Sequence, residues 1–176
     1  MGEGSVAPQY DTCDNCKGEV TLDSDFCPHC GVIFSAVESA RCDTHTAHSA
    51  TGVCIICRKL VCDECGKVVH HRTFCLEHRG VEVQQDWARI FQSSDINEAG
   101  LVRSVLQSAG FTVQVQNFNS IGFVWDGGGD SSLSRSALSK PAKVLVPIPE
   151  YIDAVKTLQE WNSGDTMKEE PDTGKT

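Results

Sequence analysis

The stretch "CIICRKLVCDEC", residues 54–65, places four cysteines within twelve positions, as the pairs Cys54/Cys57 and Cys62/Cys65. Four thiols so close suit one tetrahedral metal or parts of two. The surroundings bear on the choice. Upstream, "RCDTH" holds Cys42 and His45, and downstream "FCLEH" holds Cys75 and His78, each as C-x2-H. The region therefore offers four ligand pairs, and eight ligands fill two tetrahedral sites. The spacer "RKLV" is tight for a loop closing on one metal and suits a chain passing between two. A single site on Cys54, Cys57, Cys62 and Cys65, with the two C-x2-H pairs joined to each other, is not excluded by counting.

A further set lies nearer the N-terminus. "CDNCKG" and "CPHCG" supply Cys13, Cys16, Cys27 and Cys30, two C-x2-C pairs with ten residues between them. Gly18 and Gly31, near the second cysteine of each pair, suit turns that need positive φ. "EVTLDSDF" between the pairs alternates like a short hairpin strand. This set resembles a zinc ribbon. His29, inside the second pair, reads as a solvent-facing spacer because four thiolates already complete the site. The alternative of two disulfides requires an oxidising compartment. Four cysteines here and six in the later region account for all ten in the chain.

The order of pairs from residue 39 to 80 resembles the B-box family of zinc fingers. That resemblance implies a cross-braced layout, with Cys42, His45, Cys62 and Cys65 on one zinc and Cys54, Cys57, Cys75 and His78 on the other. Spacing alone leaves the interleaving open. Many B-boxes end in two histidines, and His70 and His71 in "VVHHRTFCLEH" compete with Cys75 or His78 as ligands. Their other reading is polar loop residues beside the site. Three zinc ions are expected in all. Each site closes with four protein ligands, whereas catalytic zinc keeps an open position, so structural metal is expected and no catalytic residue is assigned.

The 176 residues carry 15 Lys and Arg against 24 Asp and Glu, for a formal charge of −9. Residues 1–82 hold seven basic and twelve acidic side chains, net −5. Ten bound thiolates add −10 and three Zn2+ add +6, taking the chain to −13. Phosphate binding requires clustered cations, and the only small cluster is Arg58/Lys59, so nucleic acid is an unfavoured partner. No apolar run approaches the roughly 20 residues that span a bilayer. "MGEGSVAPQYD" lacks the basic patch and apolar core of a secretory signal, and it resembles an acylation start only loosely. A reducing cytoplasm is the expected location, where clustered cysteines bind metal.

No cysteine follows Cys75, while all three tryptophans do. This break predicts a metal-held front, a ribbon over 9–35 and a double-zinc module over 39–80, ahead of an ordinary α+β domain over 85–162. Residues 1–80 contain no tryptophan and few other aromatics, so the front depends on metal to fold. In the rear, "DWARIFQ" reads as a strand. Asp95 and Glu98 form a capping box for a helix that Gly110 ends, with Ala99, Val102, Leu106 and Ala109 recurring at helical spacing and Val105 beside them. "FTVQVQ" and "AKVLVPI" read as strands, with a short strand at "IGFVW". "PEYIDAVKTLQEW" reads as a helix with Pro149 in its first turn and a stripe of Ile152, Val155, Leu158 and Trp161. The loop 126–141 reads as a connection, or as an anion- or partner-binding loop, and 163–176 as a disordered tail. "INEAGLVRSVLQSAGF" and "VLVPIPEYIDAVKTL" resemble a prokaryotic family of signal-transducing proteins with a ferredoxin-like or PII-like fold, for which no residue role is carried over.

The expected function is a non-catalytic zinc-binding regulator or adaptor mediating protein–protein interaction, with bacterial signal transduction implied by the resemblance. The alternatives are a nucleic-acid-binding, transcription-related ribbon protein and an enzyme accessory subunit.

Overall fold

The computed structural model describes residues 9–34, 40–118 and 140–165. The chain divides into two compact units, Met1–Gly80 and Val81–Thr176.

The first unit is built from strands too short to hold themselves together. β1 (Tyr10–Thr12) pairs antiparallel with β2 (Glu19–Thr21), β3 (Gly52–Val53) with β4 (Leu60–Val61), and β5 (Gly66–Val69) with β6 (Arg72–Cys75). Isolated two-stranded ladders of this length are marginal in water. The side chains removed from solvent are chiefly cysteines, joined by Val20, Val53, Ile55, Val61 and Phe74. The expected hairpin in the ribbon is present as β1–β2, and an isolated Phe26–Ile33 bridge closes its second half.

The second unit has an ordinary apolar core. β7 (Val83–Gln84), β8 (Trp87–Ser93), β9 (Gln114–Gln116) and β10 (Ala142–Pro147) form one antiparallel sheet in the order β7-β8-β10-β9. β8 and β9 both pair antiparallel with β10, so they run parallel to each other with β10 between them. The helix α1 (Ile96–Ser108) connects β8 to β9, and α2 (Tyr151–Asp165) follows β10 after a 3-10 turn at Ile148–Glu150. Ala99, Val102 and Leu106 of α1, Ala142, Val144 and Val146 of β10, and Ala154 and Leu158 of α2 make the buried cluster. Among the described residues no helix is long and apolar enough to cross a membrane.

Several local expectations change. Asp95 caps α1 by accepting from the Asn97 N–H at 2.8 Å, but Glu98 does not return to Asp95. Ser93 stands in: its hydroxyl accepts from the Asp95 N–H and donates to Glu98. Gly110, at φ +91°, ends the helix in a Schellman motif, its N–H on Gln107 O and that of Phe111 on Leu106 O. Ala109 is the exposed C-cap and not a core residue. The inward stripe of α2 is Tyr151, Ala154, Leu158 and Trp161, a spacing of three, four and three that follows the helical period; Leu158 and Trp161 are as expected, whereas Ile152 and Val155 lie outside the cluster. Only Gln114–Gln116 of "FTVQVQ" is strand, since Phe111 is taken up in closing α1. α2 runs to Asp165, three residues past the boundary expected for a tail. The strand expected at "IGFVW", most of the 126–141 loop and the tail beyond Asp165 lie outside the described residues.

Glu82, just before β7, accepts from Lys143 Nζ of β10 at 2.6 Å and lies 3.2 Å from Arg89 Nε of β8. The Lys143 hydrogen bond, helped by Gln84, holds its carboxyl below the usual carboxylate value. A carboxyl depressed in the folded state stabilises it above the unfolded-state value and loses that contribution as pH falls through the folded one. Because the pair is partly exposed and screened, Glu82→Gln is expected to cost about 0.5–1 kcal/mol at neutral pH. The difference should shrink to nothing under acid conditions, as read by urea unfolding followed through tryptophan emission.

Candidate metal centres

Each centre begins with a local device that turns two donors inward. In all four C-x2-C pairs the residue after the second cysteine donates its N–H to the carbonyl of the first: Gly66 to Cys62 at 2.7 Å and, in the three pairs that place a left-handed residue there, Lys17 to Cys13 and Gly31 to Cys27, both at 2.8 Å, and Arg58 to Cys54 at 2.9 Å. In these three the first cysteine in turn donates to the carbonyl one residue further on, of Gly18, Val32 and Lys59 respectively. Their turn requires a left-handed residue, and Lys17, Gly31 and Arg58 take φ of 61°, 79° and 62°. Gly31 therefore performs the role expected of it, but Gly18 does not. Gly18 is needed for close approach, since a Cβ there would lie 2.7 Å from the His29 ring. That ring is half-buried and donates to the Glu19 carbonyl at 3.1 Å, so His29 is a packing residue and not a solvent-facing spacer.

The donors converge in three sets: Cys13, Cys16, Cys27 and Cys30; Cys42, His45, Cys62 and Cys65; and Cys54, Cys57, Cys75 and His78. These are the sequence-predicted residues, in the interleaved grouping that the family resemblance implied. The scheme with one metal on Cys54, Cys57, Cys62 and Cys65 is not realised, since those pairs belong to different sets. A tetrahedral ion with bonds of about 2.3 Å to sulfur and about 2.0–2.1 Å to nitrogen separates its ligands by roughly 3.6–3.8 Å. Cys13 and Cys30 sulfurs are 3.7 Å apart, and those of Cys16 and Cys27 3.6 Å. In the second set Cys42 and Cys65 are 3.3 Å apart, and His45 Nδ1 is 3.3 Å from Cys62. In the third, Cys57 and Cys75 are 3.8 Å apart, and His78 Nδ1 lies 3.2 Å from Cys75 and 3.9 Å from Cys54. A disulfide would bring sulfurs to about 2.05 Å, and all ten cysteines are free. Each cluster can hold one metal ion, and the three together fit three zinc ions.

The electrostatics of the bare sulfurs fit a cation as well. Burial raises the Cys42 thiol, yet the N–H groups of His45 and Thr44 and the Cys65 thiol outweigh it and bring it down to about 6. Burial likewise opposes, and the N–H groups of Cys16 and Asn15 prevail, in lowering Cys13 to about 7. Their neighbours go the other way. Burial, then the Cys54 charge, pushes Cys57 up to about 12, and burial with the Cys42 and Cys62 thiols lifts Cys65 to about 11. One thiolate per cluster is thus favoured by backbone donors while the next is suppressed, and a bound dication removes that conflict. Burial lowers the His78 imidazole, a shift toward the neutral form that binds metal.

His70 and His71 are not part of any cluster. They form the two-residue tip of the β5–β6 hairpin, exposed, both in the left-handed region at φ 48° and 61°. Hairpin tips with two such residues favour Asn-Gly. Sequence reading also missed Arg58 as a brace. Its Nη1 donates to Pro28 O at 3.0 Å and its guanidinium lies over the Phe26 ring, although nothing in "CRK" marks a residue that reaches another module. Comparison with protein-family models, curated proteins and solved structures found no match.

Removing metal with a strong chelator is expected to unfold the first unit, because structural zinc in finger-sized folds contributes about 10–16 kcal/mol. Tryptophan emission, which comes only from residues after Gly80, should hardly change, while cysteine reactivity and proteolysis of residues 9–80 rise together. The double substitution His70→Asn with His71→Gly should stabilise the first unit by about 1 kcal/mol, with three zinc ions per chain retained by native mass spectrometry.

Proposed function

We propose that this chain is a zinc-binding, non-catalytic regulatory or adaptor protein that works through protein–protein interaction. The observation that carries the reading is closure of the metal sites: every cluster completes its tetrahedron with four protein donors, leaving no position for water or substrate. Metal in such sites fixes shape and does not activate a nucleophile. In this reading the first unit is a zinc ribbon joined to a B-box-type cross-braced module. The second is a ferredoxin-like domain of the kind used by the prokaryotic signal-transducing family that its sequence resembles. The split β8-α1-β9 arrangement with β10 between the parallel strands supports the ferredoxin-like assignment. A cytoplasmic setting agrees with ten free thiols. The net charge of −9 disfavours nucleic acid as the partner.

The zinc-loaded chain immobilised as bait should retain a defined protein from its native cell. Stripping the metal should release that protein, and zinc should restore retention. Filter binding at low salt should show no uptake of duplex or single-stranded nucleic acid. Salt-sensitive nucleic-acid binding, or retention indifferent to metal, would refute the reading.

A further inference from the structure

We propose that the ribbon site and the Cys54/Cys57/Cys75/His78 site load and release metal as a coupled pair, through a backbone junction at Cys30–Gly31, Gly52–Val53 and Thr73. The proposal rests on the clusters being metal sites and adds a rule for how they fill.

The junction consists of residues that are ligands or stand beside them. Thr73, two residues before the ligand Cys75, donates its N–H to the carbonyl of the ligand Cys30 at 2.9 Å. Val53, one residue before the ligand Cys54, donates to the Gly31 carbonyl at 2.8 Å. Ile55, one residue after Cys54, donates to the Thr73 carbonyl at 3.0 Å. The two sites therefore share a closed circuit of three main-chain hydrogen bonds, with ligands of both embedded in it. Thr73, Val53 and Ile55 are buried, so water does not replace these bonds at little cost.

The junction also has no slack. A Cβ at Gly31 would lie 2.0 Å from the Val53 carbonyl oxygen, and one at Gly52 would lie 2.9 Å from Thr73 Cγ2. Gly31 is at the same time the left-handed residue of the second ribbon knuckle. Its backbone is thus fixed twice, by the ribbon turn and by contact with β3. Two side-chain links add to this: Arg58, directly after the ligand Cys57, bonds Pro28 O, and Asn15 Nδ2 bonds His71 O at 3.1 Å.

The Cys42/His45/Cys62/Cys65 site places no ligand in the circuit. Its first knuckle is held by Cys42 N–H on His48 O, Asp43 N–H on Leu60 O and Leu60 N–H on Asp43 Oδ2, and it borders the circuit where β4 pairs with β3 (Val61 with Gly52, Leu60 with Val53) and where Gly66, next to Cys65, pairs with Cys75. Losing metal from the ribbon frees the Cys27–Gly31 turn. That removes acceptors from Val53 and Thr73 and so loosens the turns that present Cys54 and Cys75. Reciprocity requires the effect to run the other way with equal size.

Differential alkylation under a fixed chelator concentration reads each cysteine separately. With Cys16→Ser, a ribbon ligand that is not part of the backbone circuit, the alkylation rate of Cys54, Cys57 and Cys75 should rise about tenfold, and that of Cys42, Cys62 and Cys65, whose site borders the circuit but places no ligand in it, should rise less. With Gly31→Ala, which keeps every ligand, the ribbon cysteines and Cys54, Cys57 and Cys75 should become reactive together. Unchanged reactivity of Cys54, Cys57 and Cys75 in either variant would overturn the proposal, as would an equal rise at Cys42, Cys62 and Cys65. Wild-type protein gives an independent reading. During chelator titration followed by native mass spectrometry, loss of the first zinc from the pair should bring loss of the second. Accumulation of a two-zinc form lacking only the ribbon zinc would overturn the coupling, whereas failure to find three zinc ions at the outset would overturn the metal assignment itself.

Discussion

Packing of twelve metal-ligand donors at van der Waals distance is the constraint on which the first unit depends. Sulfurs 3.3–3.8 Å apart gain nothing from one another as thiols, and as thiolates they repel. The backbone N–H groups that lower Cys42 and Cys13 supply part of a counter-charge, and burial of Cys57 and Cys65 works against it. Only a cation at the centre of each cluster makes the arrangement favourable. The ladders around the clusters, two to four residues long, then follow as consequences of where the ligands are held. This inverts the usual order, in which a core places the site.

The second unit follows the usual order. Its strands and helices meet over Leu106, Val144, Val146 and Ala154, all fully or almost fully buried, and its polar ties sit at the margin. Thr112 gives both its N–H and its hydroxyl to the Glu150 carboxylate, fastening the turn after α1 to the start of α2. Glu82 does similar work across β7, β8 and β10. The chain thus joins a unit that responds to metal with one that responds to ordinary changes in solvent. Loss of metal would strike the first through its ligands and leave the apolar core of the second as it is.

The ligands were legible because a C-x2-C or C-x2-H pair is a local property, fixed by three consecutive peptide units. Which pair joins which was not, since the interleaving of 42/45 with 62/65 and of 54/57 with 75/78 depends on how distant segments cross. The knuckle turns were half legible. Glycine announces a positive φ at Gly31, but Lys17 and Arg58 adopt the same geometry in closing their knuckle turns onto Cys13 O and Cys54 O, and no side chain advertises it. In the second unit the helices, their Asp95 cap and their Gly110 stop were plain from pattern. The partner of the cap was not, because Ser93 intercepts Glu98. The inward face of α2 was legible in its second half, at Leu158 and Trp161, but not in its first, where Tyr151 and Ala154 face the core in place of Ile152 and Val155, and β7 was missed because two residues carry no period.

Holding a fold by metal also changes what its surface is free to do. A domain of this size that relied on burial would have to bring its large apolar residues inside. In the first unit Tyr10, Leu22, Val68 and Leu76 remain at least half exposed, at 57%, 58%, 67% and 50%. Scattered apolar residues are common on any surface and define no site by themselves. Their number here follows from the energetics, for three zinc sites supply the stability that these side chains would otherwise have to provide. The same accounting applies to charge. Closed tetrahedra of Zn2+ with three or four thiolates carry a net negative charge, so the metal adds rigidity without adding the positive field that phosphate would require.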